Sequence, residues 1–242
     1  VRVGTAGWKI AGPVRERFGG DGTHLERYAR VFSCAEINSS FYRPHRPSTY
    51  ARWAASVPDD FRFALKVPKE ITHKRRLVDA LEPLEQFLSE TASLGAKRAV
   101  LLVQLPPSFA YDAGVVAAFF GATRERYDGV LACEPRHATW FTGQADALLR
   151  DVRVARVAAD PALVPAAAEP GGWNGFAYYR LHGSPRTYYS AYDDERLRDT
   201  ARLLRAGTVP AWCIFDNTAM DAAAGNALTL TELLGEARTT EA

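Results

Sequence analysis

Glu134-Pro135-Arg136-His137-Ala138-Thr139-Trp140-Phe141 follows the apolar run Gly129-Val130-Leu131-Ala132-Cys133, and the junction between the two decides how the chain is read. Within eight residues a carboxylate, a guanidinium, an imidazole and two aromatic rings succeed a run of strand length. Pro135 has no N–H to donate and fixes its own φ, so a sheet ladder stops there. The polar cluster therefore stands at a strand's C-terminal end, which is where parallel α/β sheets and barrels bind ligands. Taken alone, the octet is equally well a surface loop in which Glu134 and Arg136 pair with each other or with water.

The same alternation recurs on both sides of that junction. Upstream, strands are expected at Arg2 to Ala6, Cys34 to Asn38, Phe61 to Val67 and Ala99 to Val103. Between them lie helical stripes: Leu25, Tyr28, Ala29 and Phe32 after a Thr23 N-cap; Ser48 to Ala55; Leu81, Leu84, Phe87, Leu88 and Leu94 up to Gly95; then Val115, Val116, Phe119 and Phe120. Downstream, strands are expected at Val152 to Ala159, Phe176 to Leu181 and Ala211 to Phe215, and helices over Ala145 to Leu149, Asp193 to Leu204 and Asn226 to Leu234. Pro161, Pro165, Pro170, Gly171 and Gly172 discourage a helix in the sixth crossover, so a loop or one short turn is expected there. Eight strands in 242 residues predict a single α/β domain over residues 1–242, a (β/α)8 TIM-type barrel with its sixth crossover helix short or missing. An open doubly wound sheet is the rival. It is disfavoured because Gly4-Thr5-Ala6-Gly7 lacks the G-x-G-x-x-G spacing and no phosphate-binding G-x-x-x-x-G-K-[ST] occurs.

A formal net charge of +2 does not by itself imply a nucleic-acid or membrane partner, so attraction for anions must come from local clustering. Cys34, Cys133 and Cys213 each sit inside an apolar run without C-x-x-C spacing; they are expected as reduced core residues, consistent with a cytoplasmic location. No leader pattern or membrane-length apolar run is visible, and no membrane partner is expected.

The strand ends carry the functional signal. In order they read Trp8, Asn38, Lys66, Gln104, Glu134 with Arg136 and His137, Asp160, Arg180 with His182, and Asp216 with Asn217. In a barrel these positions meet on one rim.

The ordered set Gly4-x-x-Gly7-Trp8, Glu36-Ile37-Asn38-x-x-Phe41-Tyr42, Lys66 with Ile71-Thr72-His73, Gln104-Leu105-Pro106-Pro107, Glu134-x-Arg136-His137-x-x-Trp140 and Arg180-Leu181-His182-Gly183 resembles the YecE-like family, domain of unknown function 72. The resemblance runs from the first strand to the last. It implies a TIM-barrel fold and a shared rim pocket, and it supplies no reaction. The chain departs from the family pattern at Pro135, at Thr139 in place of Ser, and at Asp216 where Asn is usual; the last adds a negative charge to the expected pocket.

Glu134, His137 and His182 are the candidate acid–base residues, with His73 a weaker third histidine. Lys66, Arg136 and Arg180 are candidate anion ligands. Each has a bland counterpart: Lys66 in an ion pair with Glu36 or Glu134, and the arginines neutralising Glu134, Asp160 and Asp216. Asn38, Gln104, Asp160 and Asp216 would add polar contacts, and Trp8, Phe41, Tyr42, Trp140 and Tyr188 would stack on a ring, although isolated aromatics are more often core. His137, His182, Glu134, Asp160 and Asp216 form a feasible ligand set for a divalent metal, but no spacing motif supports it and no cofactor is expected. The leading reading is an enzyme (a hydrolase, lyase or isomerase) for a small phosphorylated or carboxylated ligand. A nucleic-acid binding or processing protein is the second, because Arg43, His45, Arg46, Arg52, Lys69, Lys74, Arg75 and Arg76 interleave with Phe41, Tyr42 and Trp53. A barrel that binds a metabolite without turning it over is the third. Oligomeric state is not legible.

Overall fold

The computed structural model describes residues 1–10 and 12–235. In chain order the elements are β1 (Arg2–Thr5), α1 (His24–Val31), β2 (Cys34–Ile37), α2 (Ser39–Tyr42), α3 (Pro47–Ala55), β3 (Arg62–Lys66), α4 (Leu81–Thr91), β4 (Arg98–Gln104), α5 (Ala113–Arg124) and β5 (Val130–Glu134). They continue with α6 (Gly143–Asp151), β6 (Val154–Arg156), β7 (Ala158–Asp160), β8 (Gly171–Gly172), β9 (Ala177–Leu181), α7 (Asp194–Ala206), β10 (Ala211–Phe215) and α8 (Ala222–Leu234). Local chemistry sets the helix starts. Thr23 and Glu26 form a reciprocal capping box on α1, Asp112 caps α5, Thr142 caps α6 and Asp193 caps α7. The apolar stripe after residue 80 is shorter than its spacing predicts. The α-helix stops at Thr91, Leu94 lies in a 3-10 turn where Gly95 takes φ +56°, and Leu81 faces solvent.

The strands form two mixed-order sheets, β1-β10-β9-β7 and β2-β3-β4-β5-β6-β8, with every pair parallel except β6 with β8. The sheets touch at two places. Ala6 bridges Glu36 in parallel and the Gly7 N–H donates to the Glu36 carbonyl at 2.7 Å, while β6 runs into β7 across Val157 alone. The single strand expected at 152–159 is therefore split: its first half pairs with β5 and its second half pairs with β9.

The sixth crossover contains a 3-10 turn, Pro165–Ala168, and the two-residue β8. Arg156 holds it in place, ion-paired to Asp146 at 2.8 Å and donating to the carbonyls of Ala166 and Glu169. Gly172 is required here: its φ is +63°, and a Cβ would stand 2.6 Å from the Val154 carbonyl oxygen.

Side chains alternate along a strand, so each sheet has two faces. One carries the larger core, where Ile37, Leu65, Leu101, Val103, Leu131 and Phe215 pack against the helices. The other is a second core built by strand residues and their immediate neighbours from both sheets: Cys34, Ala64, Val100, Leu102, Ala132, Ala155, Val157, Phe176, Tyr178, Trp212 and Ile214. The small residues of β2, β3, β5 and β6 make room for the rings of Phe176, Tyr178 and Trp212.

Candidate active site

Counting two residues onward from this second core leads directly to the polar site. Cys34 gives Glu36, Ala64 gives Lys66, Leu102 gives Gln104, Ala132 gives Glu134, Tyr178 gives Arg180 and Ile214 gives Asp216. All six polar residues are buried, at 7% exposure or less, so their charges must be answered by one another.

Arg180 is the hub. It is fully buried and reaches Glu36 in a fork (Nη2 to Oε1 2.6 Å, Nε to Oε2 3.1 Å), Glu134 Oε2 through Nη1 at 2.7 Å, and Asp216 Oδ2 through Nη2 at 2.9 Å. The Tyr178 hydroxyl donates to Glu36 Oε2 at 2.8 Å; burial first, and then the Glu36 charge, push its pKa well above the ordinary phenol value, so it stays a donor. Burial works against the Arg180 charge, but Glu36, Glu134 and Asp216 outweigh it and raise its pKa further. A guanidinium engaged in this way has no fork left for a ligand. Arg180 is the neutraliser of its neighbours, and Asp160 is not among them.

Glu134 is equally committed. Its Oε1 takes Arg136 Nη2 at 2.6 Å and faces His182 Nε2 at 2.8 Å; its Oε2 takes Gln104 Nε2 at 2.9 Å besides Arg180. Burial alone would raise the carboxyl's pKa, yet Arg180, Arg136 and His182 hold it well below the usual carboxylate range. Asp216 is likewise lowered, burial being outweighed by Arg180, His182 and Lys66.

His182, fully buried, has a carboxylate at each ring nitrogen: Nε2 on Glu134 and Nδ1 on Asp216 Oδ2 at 3.1 Å. Arg136 Nη2 also stands 2.9 Å from Nε2. The ring is thus fixed from both sides, with the Arg136 guanidinium and the Glu134 carboxylate meeting at Nε2. The loop that follows is clamped from α8, where Asn226 accepts from the Tyr192 N–H and from Asn217 Nδ2, and the Tyr192 hydroxyl accepts from the Gly183 N–H.

Lys66 behaves differently. It is 6% exposed, and its Nζ lies 4.4 Å from the centre of the Phe41 ring, with no carboxylate at ion-pair distance. Neither Glu36 nor Glu134 pairs with it. Burial and the Arg180 charge lower its pKa, against the pull of Glu36, Glu134 and Asp216. Two polar atoms beside the network are buried without a partner among the described residues: Asn38 Oδ1, although Nδ2 reaches Asp216 at 3.3 Å, and Arg136 Nε. His73 packs edge-on to Phe41 at 4.9 Å, and burial together with the Lys66 charge lowers its pKa.

Five sequence candidates lie outside this arrangement. The His137 ring is engaged by Thr139 Oγ1 at 2.9 Å and caps the turn Ala138–Trp140. Trp140 is fully buried, donates Nε1–H to the Phe109 carbonyl at 2.9 Å and packs on Phe109 and Tyr111, so its ring is core. Asp160 sits on the helix-facing side of β7 with Ala158, pairs with Arg196 at 3.0 Å, and lines a groove of about 240 Å³ together with Tyr179, Leu181, Thr200 and Leu203. Trp8 is half-buried, edge-on to Trp53 and Phe63. Tyr42 is 67% exposed, with its edge toward Phe41 and Lys69 over its face at 5.9 Å. Together with Arg43, Lys69 and Lys74 it lines a groove of about 220 Å³. The sequence reading names Phe41 only as a stacking ring and Glu36 only as a partner for Lys66, and it does not name Tyr178; stepping back two residues from Asn38 and from Arg180 finds Glu36 and Tyr178 as members of the network.

The three cysteines are free and buried. Among the described residues no helix is long and apolar enough to cross a membrane, and no group of three or more His, Cys, Asp or Glu side chains is placed to hold a metal ion.

Fold and site together define a mixed α/β protein with parallel sheets and a buried ionic network at one set of strand ends. The chain belongs to the family described as protein of unknown function DUF72, whose model matches residues 2–242. It is 36% identical over 87 residues to the UPF0759 protein YecE of Escherichia coli K12, and 25% identical over 148 residues to the UPF0759 protein YunF of Bacillus subtilis 168. Those matches take in 36% and 59% of this chain, but only 32% and 52% of the relatives' own lengths. A DUF72 family protein from Thermotoga maritima superposes with a TM-score of 0.79 at 25% identity, covering 97% of this chain and 99% of that one. A D-psicose 3-epimerase crystallised with D-fructose superposes at 0.58 with 16% identity over 97% of this chain and 100% of its own, a likeness of fold alone.

Proposed function

We propose that this chain is an enzyme of the (β/α)8 barrel type that handles a small phosphorylated or carboxylated substrate by acid–base chemistry at the strand ends. The barrel reading rests on the two junctions between the sheets, at Ala6–Glu36 and through Val157, which together would make one ring of eight strands. The observation that carries the functional reading is Lys66, a buried lysine with no carboxylate at ion-pair distance, beside a network in which Arg180 is answered by Glu36, Glu134 and Asp216. An uncompensated buried charge is costly, and a ligand anion removes the cost. In this reading Arg136, a quarter exposed with Nε free, holds the anion together with Lys66. His182 carries the proton, while Glu134 and Asp216 fix its ring and supply no proton themselves. The step served is a hydrolysis, elimination or isomerisation.

Thermal-shift titration of the whole chain with inorganic phosphate, pyruvate and dihydroxyacetone phosphate tests this. At least one anion raises Tm, and Arg136→Ala weakens its binding about tenfold, the worth of one charged hydrogen bond. No shift with any of them, or equal binding by the variant, refutes it. Duplex DNA in the same assay, binding in a salt-sensitive way, would move the function to the Tyr42–Lys69–Lys74 groove instead.

A further inference from the structure

The chain has five lysines: Lys9, Lys66, Lys69, Lys74 and Lys97. Four have environments that suit an ordinary ammonium. Lys9 pairs with Asp221 at 2.6 Å and Lys74 with Glu70 at 2.8 Å, both exposed. Lys97 donates to the carbonyls of Ala54 and Val57 at 2.7 Å each, with Asp59 at 3.6 Å. Lys69 is in solvent over the face of Tyr42. Lys66 is the exception: buried, with an aromatic face below its nitrogen and no carboxylate or carbonyl acceptor among the described residues.

Such a site disfavours the ammonium relative to the amine, because burial removes much of the water around the charged side chain and a ring face, not a paired carboxylate, stands next to its nitrogen, against the more distant pull of Glu36, Glu134 and Asp216. The fixed guanidinium of Arg180 adds to the penalty. A neutral primary amine at a strand end is a nucleophile.

We propose that the Lys66 amine condenses with the carbonyl carbon of a small aldehyde or ketone carrying a phosphate or carboxylate, forming an imine. This rests on the anion site at Arg136 proposed above and changes the part given to Lys66: the amine form reacts with the carbonyl, and Arg136 alone takes the substrate's anionic group. The nitrogen lone pair forms the C–N bond as the carbonyl π pair moves to oxygen, which takes up a proton while the nitrogen gives one up. A second proton lets the hydroxyl leave as water, and the nitrogen lone pair closes the C=N bond. The nitrogen then gives back the second proton, so amine and carbonyl are consumed, imine and water are formed, and no oxidant or reductant takes part. His182, whose two ring nitrogens face Glu134 and Asp216, is the group assigned to passing those protons.

The test is borohydride trapping on the intact chain with dihydroxyacetone phosphate and with pyruvate, followed by peptide mapping. The expected product is one adduct on Lys66, equal in mass to the probe less one oxygen atom and at least tenfold more abundant than on any other lysine. Lys97→Arg keeps it. Lys66→Arg, confirmed as folded by circular dichroism, loses it. Label spread evenly over the lysines overturns the proposal. If the probes raise Tm in an Arg136-dependent way yet leave Lys66 unlabelled, the imine is wrong and the anion site stands. If they neither bind nor label, both fall.

Discussion

Arg180 and Lys66 are cations of similar burial on adjoining parts of one site, and they stand in opposite conditions. Arg180 meets three carboxylates within 3.1 Å, whereas Lys66 meets a ring face. Two mechanisms of burying charge are thus visible side by side. Around Arg180 the fold has already spent its carboxylates, and the result is rigid, matched and closed to ligands. Around Lys66 it has left a charge unanswered, which is a poor device for stability and a good one for binding. The division also separates the histidines: His182 belongs to the matched network, and His137 serves a local turn.

Removing the hub should have the largest effect. Arg180→Met leaves Glu36, Glu134 and Asp216 facing one another in a buried space, and a loss of about 3–5 kcal/mol in urea unfolding is expected. A loss below about 1 kcal/mol would mean that the carboxylates are solvated or protonated and that the contrast with Lys66 is false.

Acid should come next. Glu134 and Asp216 are held below their ordinary values of 4.5 and 3.8 in the folded chain. As pH falls below about 5, the unfolded chain takes up protons that the folded chain refuses, so stability present at neutral pH is lost through this window. Glu134→Gln should flatten the acid limb of an unfolding-versus-pH curve relative to the wild type. Parallel curves would show that this carboxylate is not answered as the distances imply.

How much of this was readable beforehand follows from one periodicity. The strand ends were legible because apolar runs stop at polar residues. Which of those residues share a face depends on counting by two from the second core, and that requires knowing where each strand starts to pair. Asp160 was misplaced for this reason: the sixth strand changes partners at Val157, and Ala159, not Asp160, continues the inward series. Glu36 is expected beside Lys66 and is found on Arg180 instead, because it lies one step deeper than Asn38, where a reading of strand termini does not look. Trp140 and His137 come after the strand, and their contacts with Phe109 and Thr139 are fixed by loop geometry that no residue spacing encodes. The short sixth crossover was legible because proline and glycine act locally.

The smallest effect in stability is also the sharpest discriminator. Lys66→Met removes a charge that the fold does not answer and leaves an apolar chain of similar length against Phe41, so stability at pH 7 should be unchanged or higher by about 1 kcal/mol. The pH dependence carries a further sign. The unfolded chain holds this proton up to about 10.5, and the folded chain releases it earlier. Between those points the unfolded state binds the extra proton, so wild-type stability rises with pH relative to the variant and the gap between them closes toward pH 10.5. A variant that is several kcal/mol less stable would reveal a carboxylate partner in solution and would make Lys66 a second Arg180. A gap that stays constant from pH 7 to pH 10.5 would mean that water reaches the ammonium, and the distinction between the two cations would then be one of packing alone.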